Sequence, residues 1–384
     1  MPLFNALSPE TRRILDSVPA LINKIFPIPG KFRSELPSNI AELSRLLTNR
    51  RGDRSLSYQG RPGFLSAYLH YFLPWNLYRL CLLLSRLDIT LSPGDTITDI
   101  GCGPLTLTSA LWIARPDLRK TPLEFFCLDR NSPVLAAGKK FFASLGEEAG
   151  SWKIHTVRED INLRQAGVTR KTRSASLVCA VNLFNEIYET LPHNNTAGLR
   201  RMAANAAQLL NSLSKDDACL LTVEPGVPLS GQFISFLRTS FLEMGRPPSS
   251  PCPHTAACPF PGGKKRWCHF AFETFEAPKE LMRLSASAGL PKERLVFSFL
   301  LAGPVSKQPA PSAKTEKKMR VISDAFPLPD NRYGRYCCSS SGLVLLAGDK
   351  RRVERTVPLS LVTPVFTADR QRDKKSGALI SGVK

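Results

Sequence analysis

From Asp95 onward, short apolar segments alternate with segments of helical periodicity, and no other feature of the sequence constrains the fold as strongly. Strands that alternate with helices imply right-handed crossovers and a parallel sheet with helices on both faces. The sequence therefore predicts an α/β fold with a doubly wound, mostly parallel sheet. The predicted strands are 96–100, 123–128, 153–157, 175–181 and 218–223, and the predicted helices are 105–115, 132–145 and 195–213.

The sequence on either side of this alternation has a different character. Before it, apolar residues recur at helical spacing, and Pro74 is expected to separate two helices. After it, residues 245–270 are rich in proline and cysteine, which excludes a long helix or a central strand. The predicted parts are a helical N-terminal module over 1–90, an α/β core over 91–240, a Cys/Pro-rich metal-binding insertion over 241–280, edge strands that complete the sheet over 281–366 and a disordered basic tail over 367–384.

Two segments of the C-terminal third have strand character, 294–302 and 342–347. We expect them to form an antiparallel pair at the edge of the sheet. Between them, residues 303–320 are rich in Pro, Ser, Lys and Ala and predict a mobile basic loop.

The charge balance restricts the class of partner. The 384 residues include 52 Lys and Arg against 32 Asp and Glu, which gives a net charge of +20. Such an excess favours a polyanion, because basic side chains neutralise phosphates and release counterions. The basic clusters are spread along the chain, at 50–51, 264–266, 317–320, 350–352 and 374–375. A large nucleic acid fits this distribution better than a single small ligand does.

The sequence also carries expectations about the compartment. No apolar run approaches the roughly 18 residues that cross a bilayer, so no membrane association is expected. The first residues lack a positive leader with a long apolar segment, which predicts a cytoplasmic location. Ten cysteines without a secretory signal are expected to be reduced thiols, which are available to a metal.

A glycine-containing loop follows the first predicted strand. Gly101 and Gly103 allow a ligand to approach the backbone closely, and Pro104 suits the first turn of the next helix. The same pair also fits an ordinary tight turn. Asp129 ends the second predicted strand, where its carboxylate can accept hydrogen bonds from both hydroxyls of a ribose. The combination favours a nucleotide-type cofactor site.

Further polar residues follow the third and fourth predicted strands. Asp160 can meet an adenine amine, and Asn182, Asn185 and Glu186 can face the reacting group of a ligand. Each residue alone also fits a helix cap or a turn. Open α/β sheets bind ligands at the carboxyl ends of their strands, so the ordered set predicts one cofactor site.

Three cysteines occupy the proline-rich insertion, namely Cys252, Cys258 and Cys268. Their neighbours are Pro, His, Gly and Lys rather than an apolar run, which favours a metal or cluster site over packing. Their irregular spacing differs from the knuckles of zinc ribbons. A fourth thiol can come from Cys337 or Cys338, and His254 or His269 would instead complete a zinc site with three cysteines.

Taken together, these motifs resemble a class I S-adenosylmethionine-dependent methyltransferase. The resemblance is carried by the Asp-x-Gly-x-Gly-Pro that begins at Asp99, by Asp129, by the Asn-x-x-Asn-Glu at 182–186 and by the Glu-Pro-Gly at 224–226. With the cysteine motif, the chain is similar over about 60–350 to the methyltransferase-like proteins of the mitochondrial small ribosomal subunit, and more closely to their bacterial counterparts.

The resemblance implies a specific fold, a set of ligands and a partner. The fold would be a seven-stranded methyltransferase sheet with a metal-bound insertion, and Asp99, Gly101, Gly103, Asp129 and Asp160 would hold S-adenosylmethionine. A four-iron four-sulfur cluster would bind Cys252, Cys258, Cys268 and Cys338, the last of which lies four positions before a glycine, as in the family. Where such loops commonly carry a third glycine, this chain has Leu105, which predicts crowding of the methionine part of the ligand.

The resemblance implies a factor for assembly of, or translation by, the small ribosomal subunit that binds its rRNA. The protein would be a monomer away from the ribosome. If it transfers a methyl group to rRNA, the candidates for the reaction side are Asn182, Asn185 and Glu186. Two alternatives stay open, namely an inert RNA-binding scaffold with a structural or iron-sensing cluster, and a methyltransferase unrelated to the ribosome with a structural zinc site.

Overall fold

The computed structural model describes residues 6–48, 62–146, 151–163, 174–188, 191, 195–260, 266–306, 318–366 and 371–383. The chain begins with helices, and the first of them is capped by Ser8, whose hydroxyl accepts a hydrogen bond from the Thr11 amide. Helices on both sides of Pro74 form one continuous run, because this proline lies in a first turn, where its missing N–H costs nothing. The helices are α1 (Pro9–Ile25), α2 (Gly30–Arg33), α3 (Leu36–Thr48), α4 (Pro62–Ala67), a π-helical turn (Tyr68–Phe72) and α5 (Leu73–Leu84).

Within the described ranges, the central sheet has eight strands rather than the seven expected. Its order is β3-β2-β1-β4-β5-β8-β6, and β7 also pairs with β8. The five strands from β3 to β5 are parallel, whereas β8 runs antiparallel to β5, β6 and β7. The strands are β1 (Thr96–Ile100), β2 (Leu123–Asp129), β3 (Trp152–Arg158), β4 (Ala175–Val181), β5 (Ser214–Pro225), β6 (Pro248–Ser250), β7 (Phe270–Glu273) and β8 (Arg294–Ala302).

Helices cover both faces of this sheet, as the alternation of strands and helices predicts. Side chains alternate along β4, so that Leu177 and Cys179 join the apolar cluster of one face and Val178 and Ala180 join that of the other. The N-terminal helices share the first face with α6, α7 and α11, and the second face carries α8, α9 and α10. These helices are α6 (Thr106–Ala114), α7 (Ser132–Ala143), α8 (Phe184–Tyr188), α9 (Thr196–Ser212), α10 (Pro228–Glu243) and α11 (Lys279–Ser287), with a 3₁₀ turn at Pro116–Leu118.

No helix in the described ranges is both long enough and apolar enough to span a bilayer.

The C-terminal strands form a second sheet instead of completing the first one. Its order is β13-β9-β11-β12-β14, with β10 paired to β11. The expected pairing of 294–302 with 342–347 was therefore wrong. The strand at Gly342 instead returns in a hairpin onto the strand directly before it, and Gly342 takes a φ of +97° in the turn. The elements are β9 (Met319–Val321), β10 (Phe326–Pro327), β11 (Tyr333–Ser339), β12 (Gly342–Gly348), α12 (Lys350–Arg355), β13 (Leu361–Val362) and β14 (Leu379–Gly382).

The tail over 367–384 is ordered where it is described, so the prediction of disorder was wrong for 371–383. Its strand β14 pairs in parallel with β12 and buries Leu379 and Ser381. The sequence carries a short apolar segment here among basic residues, and pairing with the edge of the second sheet buries it. Of the predicted basic loop at 303–320, Met319 and Arg320 belong to β9, and 307–317 lie outside the described residues.

Candidate functional site

A cavity of about 320 Å³ lies at the carboxyl ends of the parallel strands, beneath the helices of the N-terminal module. It opens next to β1 and β4, where the order of the strands reverses, which is the usual ligand position in such sheets. All eight residues that the sequence predicts for the cofactor and reaction side line this one cavity. They are Asp99, Gly101, Gly103, Asp129, Asp160, Asn182, Asn185 and Glu186.

The glycine loop has the backbone conformation that its composition requires. Gly101 and Gly103 have φ angles of +67° and +55°, a region that side chains rarely adopt. A Cβ on Gly101 would approach a side-chain carbon of Leu183 to 2.6 Å. The Gly103 amide donates a hydrogen bond to Oδ2 of Asp129 at 2.9 Å, and the Asn131 amide donates to Oδ1 at 2.9 Å. The loop and the acid after β2 thus form one hydrogen-bonded unit.

Leu105 does not crowd the cavity, contrary to the expectation from the sequence. Its backbone is left-handed at φ +55°, and its buried side chain is directed toward α7 rather than into the cavity lining. A Cβ on Gly138 would lie 2.4 Å from the carbonyl carbon of Pro104 and 2.8 Å from Leu105 Cγ. The absence of a side chain at Gly138 therefore makes room for the leucine.

Asp99 is the most deeply buried charge-bearing group of the cavity. It is 0% exposed, and among the described residues neither of its carboxylate oxygens has a hydrogen-bond partner. Burial, together with the nearby charge of Asp129, raises the pKa of Asp99 well above its usual range. Burial also raises the pKa of Asp129. A cationic group in the cavity would reverse both effects.

A buried glutamate holds the reaction side in place. Glu224, at the end of β5, accepts hydrogen bonds from the amides of Phe184 at 2.9 Å and Asn185 at 3.0 Å. Its carboxylate therefore fixes the first turn of α8, which carries Asn185 and Glu186. Burial raises the pKa of Glu224 to about 8. At the rim, Glu186 forms a 3.6 Å ion pair with Arg130, which follows β2.

Sequence reasoning missed the contribution of the N-terminal module to the cavity. Tyr68, Asn76 and Arg79 line it from the π-helical turn and α5. They belong to no local motif and lie far in sequence from the glycine loop. The available signal was Arg79 itself, the single charge within the otherwise apolar or uncharged segment Leu73–Leu84.

A second cluster of functional groups joins the proline-rich insertion to the second sheet. The four predicted cysteines lie within electrostatic reach of one another, since burial and then the charges of Cys252, Cys268 and Cys258 raise the pKa of Cys338. The pKa of Cys268 is raised by burial, Cys252 and Cys258 in the same way. His254 Nε2 lies 3.2 Å from Sγ of Cys338. Segments separated by more than sixty residues thus bring four thiols and one imidazole together.

Strand geometry distinguishes the two adjacent cysteines of β11. Cys337 belongs to the apolar cluster of the second sheet, together with Val321 and Val344. Cys338 points to the opposite face, toward the insertion, because successive side chains of a strand alternate. Of the two thiols that the residues left open, Cys338 is the one beside the insertion.

Two buried arginines tie the insertion to its surroundings. Arg238 of α10 donates from Nη2 to the carbonyls of His254 at 2.7 Å and Ala256 at 2.8 Å. Arg320 of β9 donates from Nε to the carbonyl of Pro251 at 2.9 Å, and burial lowers its pKa to about 10. Both guanidiniums lie close enough to Cys252 to lower its pKa, against the raising effect of burial. Positive charge is therefore available near the thiols.

The four cysteines and His254 supply thiol and imidazole groups, the ligand types of zinc and iron–sulfur sites. Burial and then the neighbouring cysteines raise the pKa values of Cys268 and Cys338, and a bound metal would counter both effects. Burial lowers the pKa of His254 to about 4, which keeps its imidazole neutral and able to bind a metal. Within the described ranges, however, no group of three or more His, Cys, Asp or Glu side chains is arranged to hold a metal ion. The thiols are therefore grouped, but the metal site predicted for the insertion is not found among the described residues.

A match to a family model shows which family the chain belongs to. The family model described as mitochondrial small ribosomal subunit Rsm22 matches residues 90–328, which is more than half of the chain. The chain belongs to the Rsm22 family. The match covers the α/β sheet and three of the four cysteines, and it stops short of both Arg79 in α5 and Cys338 in β11. A search of curated proteins found no match.

Several solved methyltransferase structures align with this Rsm22 family member at low sequence identity. The magnesium protoporphyrin IX methyltransferase of Synechocystis PCC 6803 with bound SAH aligns with a TM-score of 0.33 and 12% identity over 69% of this chain and 99% of that one. A geranyl diphosphate methyltransferase in complex with GPP and sinefungin aligns with a TM-score of 0.33 and 13% identity, over 70% and 98% of the two chains. The strand order of the Rsm22 chain is that of an α/β methyltransferase-like fold with a mostly parallel central sheet.

Proposed function

We propose that this Rsm22 family protein acts on the small ribosomal subunit as an assembly or translation factor, binds its rRNA and holds S-adenosylmethionine in the cavity of the first sheet. The observation that carries the proposal is the convergence of all eight predicted residues on that single cavity. The family description, which names the small ribosomal subunit, supports the partner.

The cavity residues suit the parts of this cofactor. Asp129 would accept hydrogen bonds from the ribose hydroxyls, and Asp160 would meet the adenine amine. S-adenosylmethionine supplies an activated methyl group when it is bound. Asn182, Asn185 and Glu186 would orient the acceptor, and Glu224 keeps two of them in position through the amides at the start of α8. Catalysis would rest on proximity rather than on a strong base.

The RNA-binding surface is proposed to include α12 on the second sheet. This helix exposes Lys350, Arg351, Arg352 and Arg355. Lys350 and Arg352 form ion pairs with neighbouring acids, whereas Arg351 and Arg355 form none that the described residues supply. Exposed cations of this kind neutralise phosphates.

Co-sedimentation with purified small subunits over a range of salt concentrations tests the ribosomal part of the proposal. A factor that binds rRNA should co-sediment, and its affinity should fall steeply with salt. Replacement of Arg351 and Arg355 by Gln should reduce the salt slope by about one for each phosphate that the variant no longer neutralises. Lys24→Gln, on the exposed end of α1, is the control for a change of charge alone. Absence of co-sedimentation would favour the alternative of a methyltransferase unrelated to the ribosome.

We also propose that Cys252, Cys258, Cys268 and Cys338 hold a four-iron four-sulfur cluster. Four thiolates are the usual ligand set for such a cluster, and the nearby guanidiniums would balance its charge. Zinc bound by three of the cysteines and His254 is the competing arrangement. The absorbance spectrum and the iron and zinc content of anaerobically purified protein separate the two, because a cluster absorbs in the visible range and zinc does not.

An inert RNA-binding scaffold is the second candidate, and the hydrogen bonds that Asp129 already accepts favour it. Both carboxylate oxygens of Asp129 already accept backbone hydrogen bonds, from Gly103 and Asn131, which leaves less capacity for a ribose. Titration calorimetry with S-adenosylmethionine decides between the candidates, since a protein that does not bind this cofactor cannot use it.

Size-exclusion chromatography tests the proposed monomer, and fractionation of cells tests the proposed cytoplasmic location.

A further inference from the structure

The cavity contains a buried arginine with an unsatisfied hydrogen-bond donor in the described part of the chain. Arg79 is 8% exposed and lines the cavity from α5. Its Nη2 donates a hydrogen bond to Oδ1 of Asn76 at 2.8 Å, and among the described residues its buried Nε has no partner. Burial lowers the pKa of Arg79 to about 10, so the guanidinium is still cationic at neutral pH. A buried cation with open donors calls for an anionic partner.

The other charges around the cavity do not supply that partner. Of the two cations in its described lining, Arg130 lies at the rim in an ion pair with Glu186, so Arg79 is the cation of the interior. Glu224 lies within electrostatic reach of Arg79, but its carboxylate oxygens accept the amides of α8. The remaining lining is strongly acidic and would otherwise repel an anion.

Asp99 provides the opposite charge within the same cavity. Its two oxygens are fully buried and lack hydrogen-bond partners in the described part of the chain. The cavity therefore holds an unmatched acceptor pair in β1 and an unmatched donor, Nε of Arg79, on α5. A single ligand that satisfies both carries a cationic donor and an anionic acceptor. An α-amino acid group, with its ammonium and its carboxylate, has this chemistry.

We infer that Arg79 binds the carboxylate of an α-amino acid group in the cavity, while Asp99 faces the ammonium. The inference rests on the proposed function, because it assigns this subsite to the amino-acid end of the S-adenosyl ligand. The planar guanidinium suits a carboxylate, to which it can donate two parallel hydrogen bonds. The N-terminal module thus contributes a specificity residue to the site.

Two nucleosides that differ only in this end provide the test. S-adenosylhomocysteine carries the amino acid group, and 5′-methylthioadenosine lacks it. In calorimetry, wild-type protein should bind S-adenosylhomocysteine more tightly. Arg79→Met should weaken that binding by about 10- to 100-fold, the usual value of a hydrogen bond to a charged group, and should leave binding of methylthioadenosine within about twofold. The affinity of Arg79→Lys for S-adenosylhomocysteine should lie between those of wild type and Arg79→Met, because lysine keeps the charge but lacks the two parallel donors of the guanidinium.

Retained binding of methylthioadenosine also reports that the variant is folded, and Lys24→Gln, on the exposed end of α1, controls for a loss of positive charge. Equal binding of both nucleosides by wild-type protein, or equal losses for both in Arg79→Met, would overturn the inference alone. Binding of neither nucleoside by wild-type protein would remove the cofactor proposal as well. Loss of RNA binding in Arg79→Met with unchanged affinity for S-adenosylhomocysteine would assign the arginine to a phosphate and would also overturn the inference.

Discussion

The cavity and the cysteine cluster are both built from residues that lie far apart, but they are held together differently. The cavity residues follow successive strands of one parallel sheet, and each strand positions its own residue. The cysteine cluster joins an irregular insertion between β6 and β7 to the hairpin of another sheet. The first site needs only the sheet to form, whereas the second needs two separate parts of the chain to meet.

The two regions also differ in the size of their apolar clusters. Large clusters of buried side chains cover both faces of the first sheet. The cluster under the second sheet is small, and its six fully buried members include Cys337 and Met319. The hydrogen bond from Arg320 to the insertion and the contact of His254 with Cys338 join the second sheet to the insertion. A metal bound there would stabilise the fold of that region.

Removal of one of the proposed cysteine ligands is expected to have the largest effect, and this effect should be confined to the second region. Cys258→Ser should reduce the metal content of purified protein to less than about a tenth, because a serine hydroxyl is a poor ligand for these metals. Limited proteolysis should then cut residues 245–340 faster, while calorimetry of nucleoside binding at the first sheet stays unchanged.

The adjacent cysteine is the matched control. Cys337→Ser places a hydroxyl in the small apolar cluster and should destabilise the second sheet by about 1–3 kcal/mol without loss of metal. Unchanged metal content in Cys258→Ser, measured by elemental analysis, would end the cluster proposal. Loss of metal in both variants would show that packing alone had been disturbed.

The next perturbation affects the first region alone. Asp129→Ala removes the acceptor of the Gly103 and Asn131 amides and the proposed acceptor for the ribose. Affinity for S-adenosylhomocysteine should fall by about 10- to 100-fold in calorimetry. The metal content should not change, which separates the two regions once more. Equal affinity in wild type and variant would argue that the ligand does not contact this acid.

A glycine substitution tests whether the close packing behind the loop supports the cavity. Gly138→Ala should destabilise the protein by about 1–3 kcal/mol, because its Cβ would meet the Pro104 carbonyl carbon at 2.4 Å and displace the loop. Gly30→Ala is the control, since its Cβ meets nothing within 4 Å and its φ is not positive. The two free energies of unfolding come from urea titrations. Equal values would contradict the role of Gly138.

The first region should also respond to pH. Burial raises the pKa of Glu224 from 4.5 to about 8, so the folded state binds its proton more tightly than the unfolded state does. The stabilising contribution is therefore complete below pH 4.5 and is lost as the pH rises to about 8. Glu224→Gln should remove this part of the pH dependence of unfolding. An unchanged slope over that range would show that Glu224 does not titrate there.

The difference between local and distant packing also explains which residues the sequence was able to predict. Gly101, Gly103 and Asp129 line one cavity, because each lies at or directly after the end of a strand and parallel strands end at one edge of a sheet. Local sequence determines such positions. Arg79 was missed because α5 crosses the cavity only after the helical module packs on the sheet. The pairing of β8 was missed because strand character does not specify a partner.

The sequence by itself determined the alternation of strands and helices, the glycine loop and the thiol-rich insertion, since these depend on periodicity, backbone freedom and residue type within short segments. Tertiary structure decided which of Cys337 and Cys338 faces the insertion, that the C-terminal strands form their own sheet, and that a buried arginine enters the cavity. These outcomes depend on the packing of distant segments, where burial and strand alternation bring together side chains that no local pattern relates.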